Sequence, residues 1–80
     1  MNYYVYIILC ERNMLYTGIA KNPSDRFLLH LGGKGAKYTR INKPIKIVHL
    51  EKYDSRSDAL KREAIIKKMS KKQKENLFLS

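Results

Sequence analysis

Tyr3-Tyr4-Val5-Tyr6-Ile7-Ile8-Leu9-Cys10 is apolar at nearly every position and rich in aromatic and β-branched side chains. A run of this length that is apolar on both faces predicts a central strand covered on each side. Glu11-Arg12-Asn13 interrupts it, with Asn13 suited to the left-handed conformation of a three-residue hairpin loop. Met14 to Ile19 predicts the returning strand. Pairing Cys10 with Met14 sets Tyr6 opposite Gly18 and Tyr16 opposite Ile8, so the two tyrosines become diagonal neighbours on one face. A slip of one residue would separate them.

Asn22-Pro23 is a helix start, a capping side chain followed by proline at the first helical position. That helix is expected to run to Leu31 and stop at Gly32-Gly33. Gly32 to Lys43 reads as a mobile basic loop with at most one short helical turn. Beyond Pro44, Ile45 to Tyr53 predicts a third strand. Ser55-Arg56-Ser57-Asp58 opens a long helix reaching about Met69, and the capping box Ser70-Lys71-Lys72-Gln73 starts a short last one. The expected order is ββαβαα. The fold class is α/β of the α+β kind: a three-stranded antiparallel central sheet flanked by helices, as one domain over residues 1–80.

Composition narrows the function. The chain has 80 residues and a formal net charge of +10, from 17 Lys and Arg against 7 Asp and Glu. An excess of that size usually has an anionic partner, and a phosphodiester backbone is the commonest. The longest apolar run is too short to span a bilayer, and no charged-then-apolar leader opens the chain. The single cysteine, Cys10, allows no internal disulfide and reads as a buried strand residue. The expectation is an intracellular, cytoplasmic protein, nucleoid association included, with no membrane contact.

The candidate chemistry lies in residues far apart along the chain. Tyr4-Val5-Tyr6 and Tyr16-Thr17-Gly18 stand on the two arms of the hairpin. Arg26 and His30 are one turn apart on the first helix. Glu63 falls inside an apolar arc of the later helix, between Ala59 and Ile66 on one side and Leu60 and Ala64 on the other. A carboxylate there needs a partner, either Lys67 one turn on or a metal ion. Taken without a family, packing on a hairpin face is the favoured reading for Tyr6 and Tyr16, and Arg26 and His30 fit a solvated helix face.

Together these residues resemble the GIY-YIG nuclease superfamily, with Tyr4-Val5-Tyr6 and Tyr16-Thr17-Gly18 as its two triplets. The likeness continues through Asn22 to His30, Gly33-Lys34-Gly35-Ala36-Lys37-Tyr38-Thr39-Arg40 and Arg62-Glu63-Ala64-Ile65-Ile66-Lys67-Lys68. It is similar to the small stand-alone bacterial members and to the catalytic domains of Slx-type endonucleases and of the excinuclease C subunit. The resemblance implies metal-dependent hydrolysis of phosphodiester bonds in DNA, branched or damaged DNA included. It assigns Tyr6 and Tyr16 to the attacking water, Arg26 to the scissile phosphate, His30 to a proton shuttle and Glu63 to one Mg²⁺ or Mn²⁺ ion.

Those roles are chemically coherent. A guanidinium fork meets phosphate oxygens with rigid donors, and Mg²⁺ keeps several waters, so one carboxylate plus substrate can hold it. A tyrosine of ordinary pKa about 10 needs nearby positive charge to act as a base. Lys34, Lys37, Arg40 and Lys67 offer phosphate contacts, and Tyr38 a stacking ring. The glycine loop lacks the Gly-Lys-Ser/Thr ending of a P-loop. Two departures stand out: Tyr4 and Val5 replace Gly and Ile, and Ile19 occupies a position that is polar or basic in several relatives. Two other readings stay open, a non-catalytic nucleic-acid-binding module and an adaptor to another repair or processing protein.

Overall fold

A computed structural model describes residues 2–79. Strand β1 (Tyr3–Cys10) runs through a single 3₁₀ turn, Glu11–Asn13, into β2 (Met14–Ala20). Helix α1 (Pro23–Leu31) and a short helix α2 (Lys37–Ile41) precede β3 (Pro44–Tyr53), and α3 (Arg56–Lys67) and α4 (Lys71–Glu75) follow it. The three strands form an antiparallel sheet in the order β2-β1-β3, with the apolar β1 at the centre as its two-faced pattern requires.

The hairpin register is the expected one. Cys10 pairs with Met14, Tyr6 with Gly18 and Ile8 with Tyr16. The turn differs in detail. Arg12 and Asn13 both take positive φ, 60° and 59°, a conformation that favours asparagine and costs arginine. Arg12 is held there by its guanidinium, which donates to the Ile41 carbonyl and the Asn42 side chain. The Glu11 N–H adds a bond to the Lys43 carbonyl at 2.8 Å. The hairpin tip is thereby fastened to the segment that enters β3.

Alternation along β1 builds two cores. Val5 and Ile7 point to one face and pack with Ala59 and Ile66 of α3. Tyr6, Ile8 and Cys10 point to the other, with Ala20, Phe27 of α1 and Tyr38 of α2. Cys10 is fully buried, and burial pushes its thiol up. Asn22, Ser55 and Ser70 cap α1, α3 and α4 by accepting from Asp25, Asp58 and Gln73 N–H groups.

Two expectations need correction. The short helical turn allowed for after Gly32-Gly33 is α2, but the segment is not a mobile loop, because α2 docks on the sheet and buries Thr39 and half-buries Tyr38. The order is therefore ββααβαα. The α3 helix ends at Lys67 and not Met69, because the Lys68 and Met69 N–H groups tighten onto Ile65 and Ile66 before Ser70 starts α4.

Candidate active site

Gly18 shapes the site first. A Cβ at that position would sit 2.5 Å from the Tyr6 hydroxyl, so only glycine lets the Tyr6 ring pass over β2. Tyr6 is 2% exposed and its ring centroid lies 6.3 Å from that of Tyr16. His30, projecting from the last turn of α1, completes the group. Its ring stands edge-on to both tyrosines, at 6.1 and 5.0 Å between centroids. Tyr38 of α2 closes the far side, 5.8 Å from Tyr16.

His30 is buried and bonded at both nitrogens. Nε2 meets the Tyr6 hydroxyl at 3.1 Å, and Nδ1 meets the Thr39 hydroxyl at 2.7 Å. Burial, and next the Arg26 charge, hold its pKa below the ordinary value, so the ring is neutral at pH 7. Tyr6 is shifted the other way. Burial raises its pKa most and the Tyr16 and Glu63 charges add to this, while Arg26 opposes them without cancelling them. Tyr6 is therefore a protonated phenol facing a neutral imidazole.

Arg26 is exposed on α1 and lines an open hollow of about 480 Å³ with Lys21, Asn22 and Asp25, Tyr3 and Ile19 from the strands, and Arg56 of α3. Among the described residues Lys21, Arg26 and Arg56 make no ion pair, and the Lys21 ammonium rests 5.6 Å from the centre of the Tyr3 ring. Sequence reasoning overlooked Lys21 and Arg56, because a surface lysine and a first-turn arginine carry no signal until the fold gathers them around Arg26.

Glu63 is half-buried, its side chain 16% exposed, and Lys67 reaches it at 3.3 Å. The apolar arc around it is narrower than the helical wheel predicts: Ala59 and Ile66 are buried, while Ala64 and Ile65 are exposed. Among the described residues no group of three or more His, Cys, Asp or Glu converges as a metal cage. The donor set instead fits a hard, hydrated dication that takes one carboxylate oxygen and leaves its other positions to water and phosphate. The Thr17 hydroxyl, buried on the sheet face that α3 covers, has no hydrogen-bond partner among the described residues and would suit a bound water.

The remaining sequence candidates separate into two sets. Lys34, Lys37 and Arg40 are exposed around α2. Tyr38 is not a free stacking ring, since it packs in the second core and against Tyr16. Tyr4 is half-buried opposite Ala20, and Val5 is buried in the α3 core. On α3's side of the sheet lies a cluster with no signal in the sequence: Glu51 accepts from Arg62, His49 and Tyr53. It ties β3 to the helix residue just before Glu63.

The family profile described as the GIY-YIG catalytic domain matches residues 2–76. The chain is similar to UPF0213 proteins of Staphylococcus saprophyticus, 45% identical and covering 95% of this chain and 93% of that one, and of Syntrophus aciditrophicus, 53% identical and covering 94% and 87%. Two structures solved by NMR in solution share its fold. A UPF0213 protein from Bacillus halodurans has a TM-score of 0.61 at 39% identity, covering 96% of this chain and 82% of that one. A protein from E. faecalis has a TM-score of 0.65 at 40% identity, covering 95% and 81%. Fold, register and profile agree that the chain belongs to the GIY-YIG family of nuclease-like catalytic domains.

Proposed function

We propose that this protein is a metal-dependent endonuclease that hydrolyses phosphodiester bonds in DNA, acting as one domain in the cytoplasm or on the nucleoid. The observation that carries the proposal is the Tyr6–His30 hydrogen bond within the field of Arg26, which lines an open hollow. A buried phenol hydrogen-bonded to a neutral imidazole, under the charge of an arginine that makes no ion pair among the described residues, suits proton transfer at a bound phosphate.

Arg26 holds the non-bridging oxygens of the scissile phosphate, and Lys21 and Arg56 take neighbouring phosphates. Tyr16 and Tyr6 orient the attacking water. Because burial makes a Tyr6 phenolate costly, Tyr6 works as a relay. The water proton passes to the Tyr6 oxygen as the Tyr6 proton passes to His30 Nε2. Tyr6 stays neutral, His30 becomes imidazolium, hydroxide attacks phosphorus, and the P–O bond to the leaving oxygen breaks, that oxygen taking its proton from solvent water. Glu63 would hold the Mg²⁺ or Mn²⁺ ion, which when bound supplies positive charge to the phosphate and leaving oxygens. Lys67 balances the Glu63 carboxylate until then. Lys34, Lys37 and Arg40 bind backbone beyond the site, and a protein partner contributes substrate choice.

The test incubates pure protein with labelled duplex, single-stranded, branched and RNA substrates, with and without Mg²⁺ or Mn²⁺. Metal-dependent nicking that disappears in Tyr6→Phe and Glu63→Gln is expected. Salt-sensitive binding without cleavage of any substrate would overturn the proposal and favour a non-catalytic nucleic-acid-binding module, the reading that the +10 charge supports by itself.

A further inference from the structure

Thr39 lies outside the residues so far given a role, yet it is 1% exposed and in contact with the one histidine of the site. Its hydroxyl makes two contacts, with His30 Nδ1 at 2.7 Å and with the Ala36 carbonyl at 2.9 Å. A hydroxyl has one proton. The Ala36 carbonyl can only accept, so if Thr39 donates to it, Thr39 must accept from Nδ1–H. Nε2 is then left with its lone pair towards the Tyr6 O–H.

The opposite arrangement has the Thr39 hydroxyl donating to Nδ1 and Nε2–H donating to Tyr6. The Ala36 N–H, 3.4 Å from Nδ1, would favour it. That arrangement leaves the Tyr6 proton without an acceptor among the described residues, on a side chain 2% exposed. A buried orphan donor is costly. The first arrangement orphans only the Ala36 N–H, and Ala36 is half-exposed and can meet water. Donor counting therefore selects Nδ1–H.

We propose that Thr39 is a positioning residue that sets the tautomer of His30, fixing Nε2 as the acceptor of the Tyr6 proton. Gly35 makes room for the arrangement, since a Cβ there would collide with His30 Nδ1 and the ring carbons on either side of it. The Gly35–Thr39 segment thus serves the proton path from behind, while Lys37 and Arg40, its neighbours on α2, face outwards. Without the Thr39 hydroxyl, the strongest group left facing Nδ1 is a donor, the Ala36 N–H. The tautomer should then reverse, with Nε2–H pointing at Tyr6 and the proton path blocked. The consequence for cleavage rests on the nuclease proposal, but the tautomer does not.

The experiment records long-range ¹H–¹⁵N spectra of ¹⁵N-histidine-labelled protein near neutral pH. The chain has two histidines, and a His49→Gln variant assigns them. His30 should show a protonated Nδ1 and an unprotonated Nε2 in the wild type and in Thr39→Ser. In Thr39→Val the pattern should move towards a protonated Nε2. Should the valine variant fail to fold, Thr39→Ala, which fits wherever valine would, replaces it. A wild-type spectrum with Nε2 protonated overturns the proposal, and so does one that is unchanged by removing the hydroxyl. Where cleavage is detected, Thr39→Val should slow it about 10-fold or more and Thr39→Ser should restore it. Absence of cleavage in every form counts against the nuclease reading alone, because the spectra still decide the tautomer.

Discussion

Two polar clusters, one part-buried and one buried, sit on opposite faces of the same sheet. On the α3 side Glu51 accepts four hydrogen bonds, two from the Arg62 fork at 2.8 and 3.1 Å, one from His49 at 2.8 Å and one from Tyr53 at 2.7 Å. Both carboxylate oxygens are bonded, and the charge is balanced by Arg62. On the α1–α2 side Tyr6, His30 and Thr39 form a neutral chain within the field of the Arg26 guanidinium. The first cluster is saturated and holds β3 to α3. The second keeps a proton that can move along it, under the charge of Arg26. Burial and hydrogen bonding alone do not mark a functional site. On the proposed reading, what distinguishes the second cluster is a transferable proton under the charge of Arg26, which makes no ion pair among the described residues.

The comparison breaks if the clusters exchange effects. The largest expected effect is on chemistry: Tyr6→Phe, Arg26→Ala and Glu63→Gln should each lower the cleavage rate by about 10²-fold or more. Arg26→Ala and Glu63→Gln should do so at near-unchanged thermal stability, and Tyr6→Phe with a loss on the order of 1–3 kcal/mol, because buried His30 Nε2 loses its partner. Glu51→Gln should do the reverse, losing on the order of 2–3 kcal/mol in denaturant unfolding, because a part-buried guanidinium loses its partner. The folded fraction should cleave at the wild-type rate. Equal loss of cleavage in the fully folded Glu51→Gln protein would show that the α3-side cluster is more than a tether.

Acid unfolding sharpens the contrast. Burial by itself would raise the Glu51 carboxyl, but hydrogen bonds from Arg62, His49 and Tyr53 outweigh it and bring the pKa from 4.5 to about 2. The folded value is the lower one, so this stability is complete above pH 4.5 and is lost as the pH falls from there towards 2. The His30 pKa is also lower when folded, below 6.5. Its contribution is complete above that value and starts to be lost on acidification at higher pH than that of Glu51, because the unfolded chain takes up its proton first. Thermal melts against pH should show an early loss that is absent in His30→Gln and a later one that is absent in Glu51→Gln.

The smallest effects belong to the exposed cations. Lys34→Ala or Arg40→Ala should weaken DNA binding a few-fold and reduce the slope of log affinity against log salt by about 1 each, with cleavage at saturating DNA unchanged.

The sequence was sufficient for whatever depends on local rules. The double-faced apolar run of β1, the hairpin register, the Asn22-Pro23 start of α1 and the Ser70–Gln73 capping box follow from periodicity and capping chemistry acting within a few residues. Tyr6, Tyr16, Arg26, His30 and Glu63 could be nominated for the site from their motif spacing. Only the tertiary structure decided that Thr39 lies behind His30, that Tyr38 packs inward, that Lys21 and Arg56 share a hollow with Arg26, and that Glu51 and Arg62 join across 11 positions. The physical reason is common to all four. Each is a contact between elements that a residue pattern specifies one at a time, and whether a hydroxyl, ring or charge is satisfied depends on what the neighbouring element brings to it.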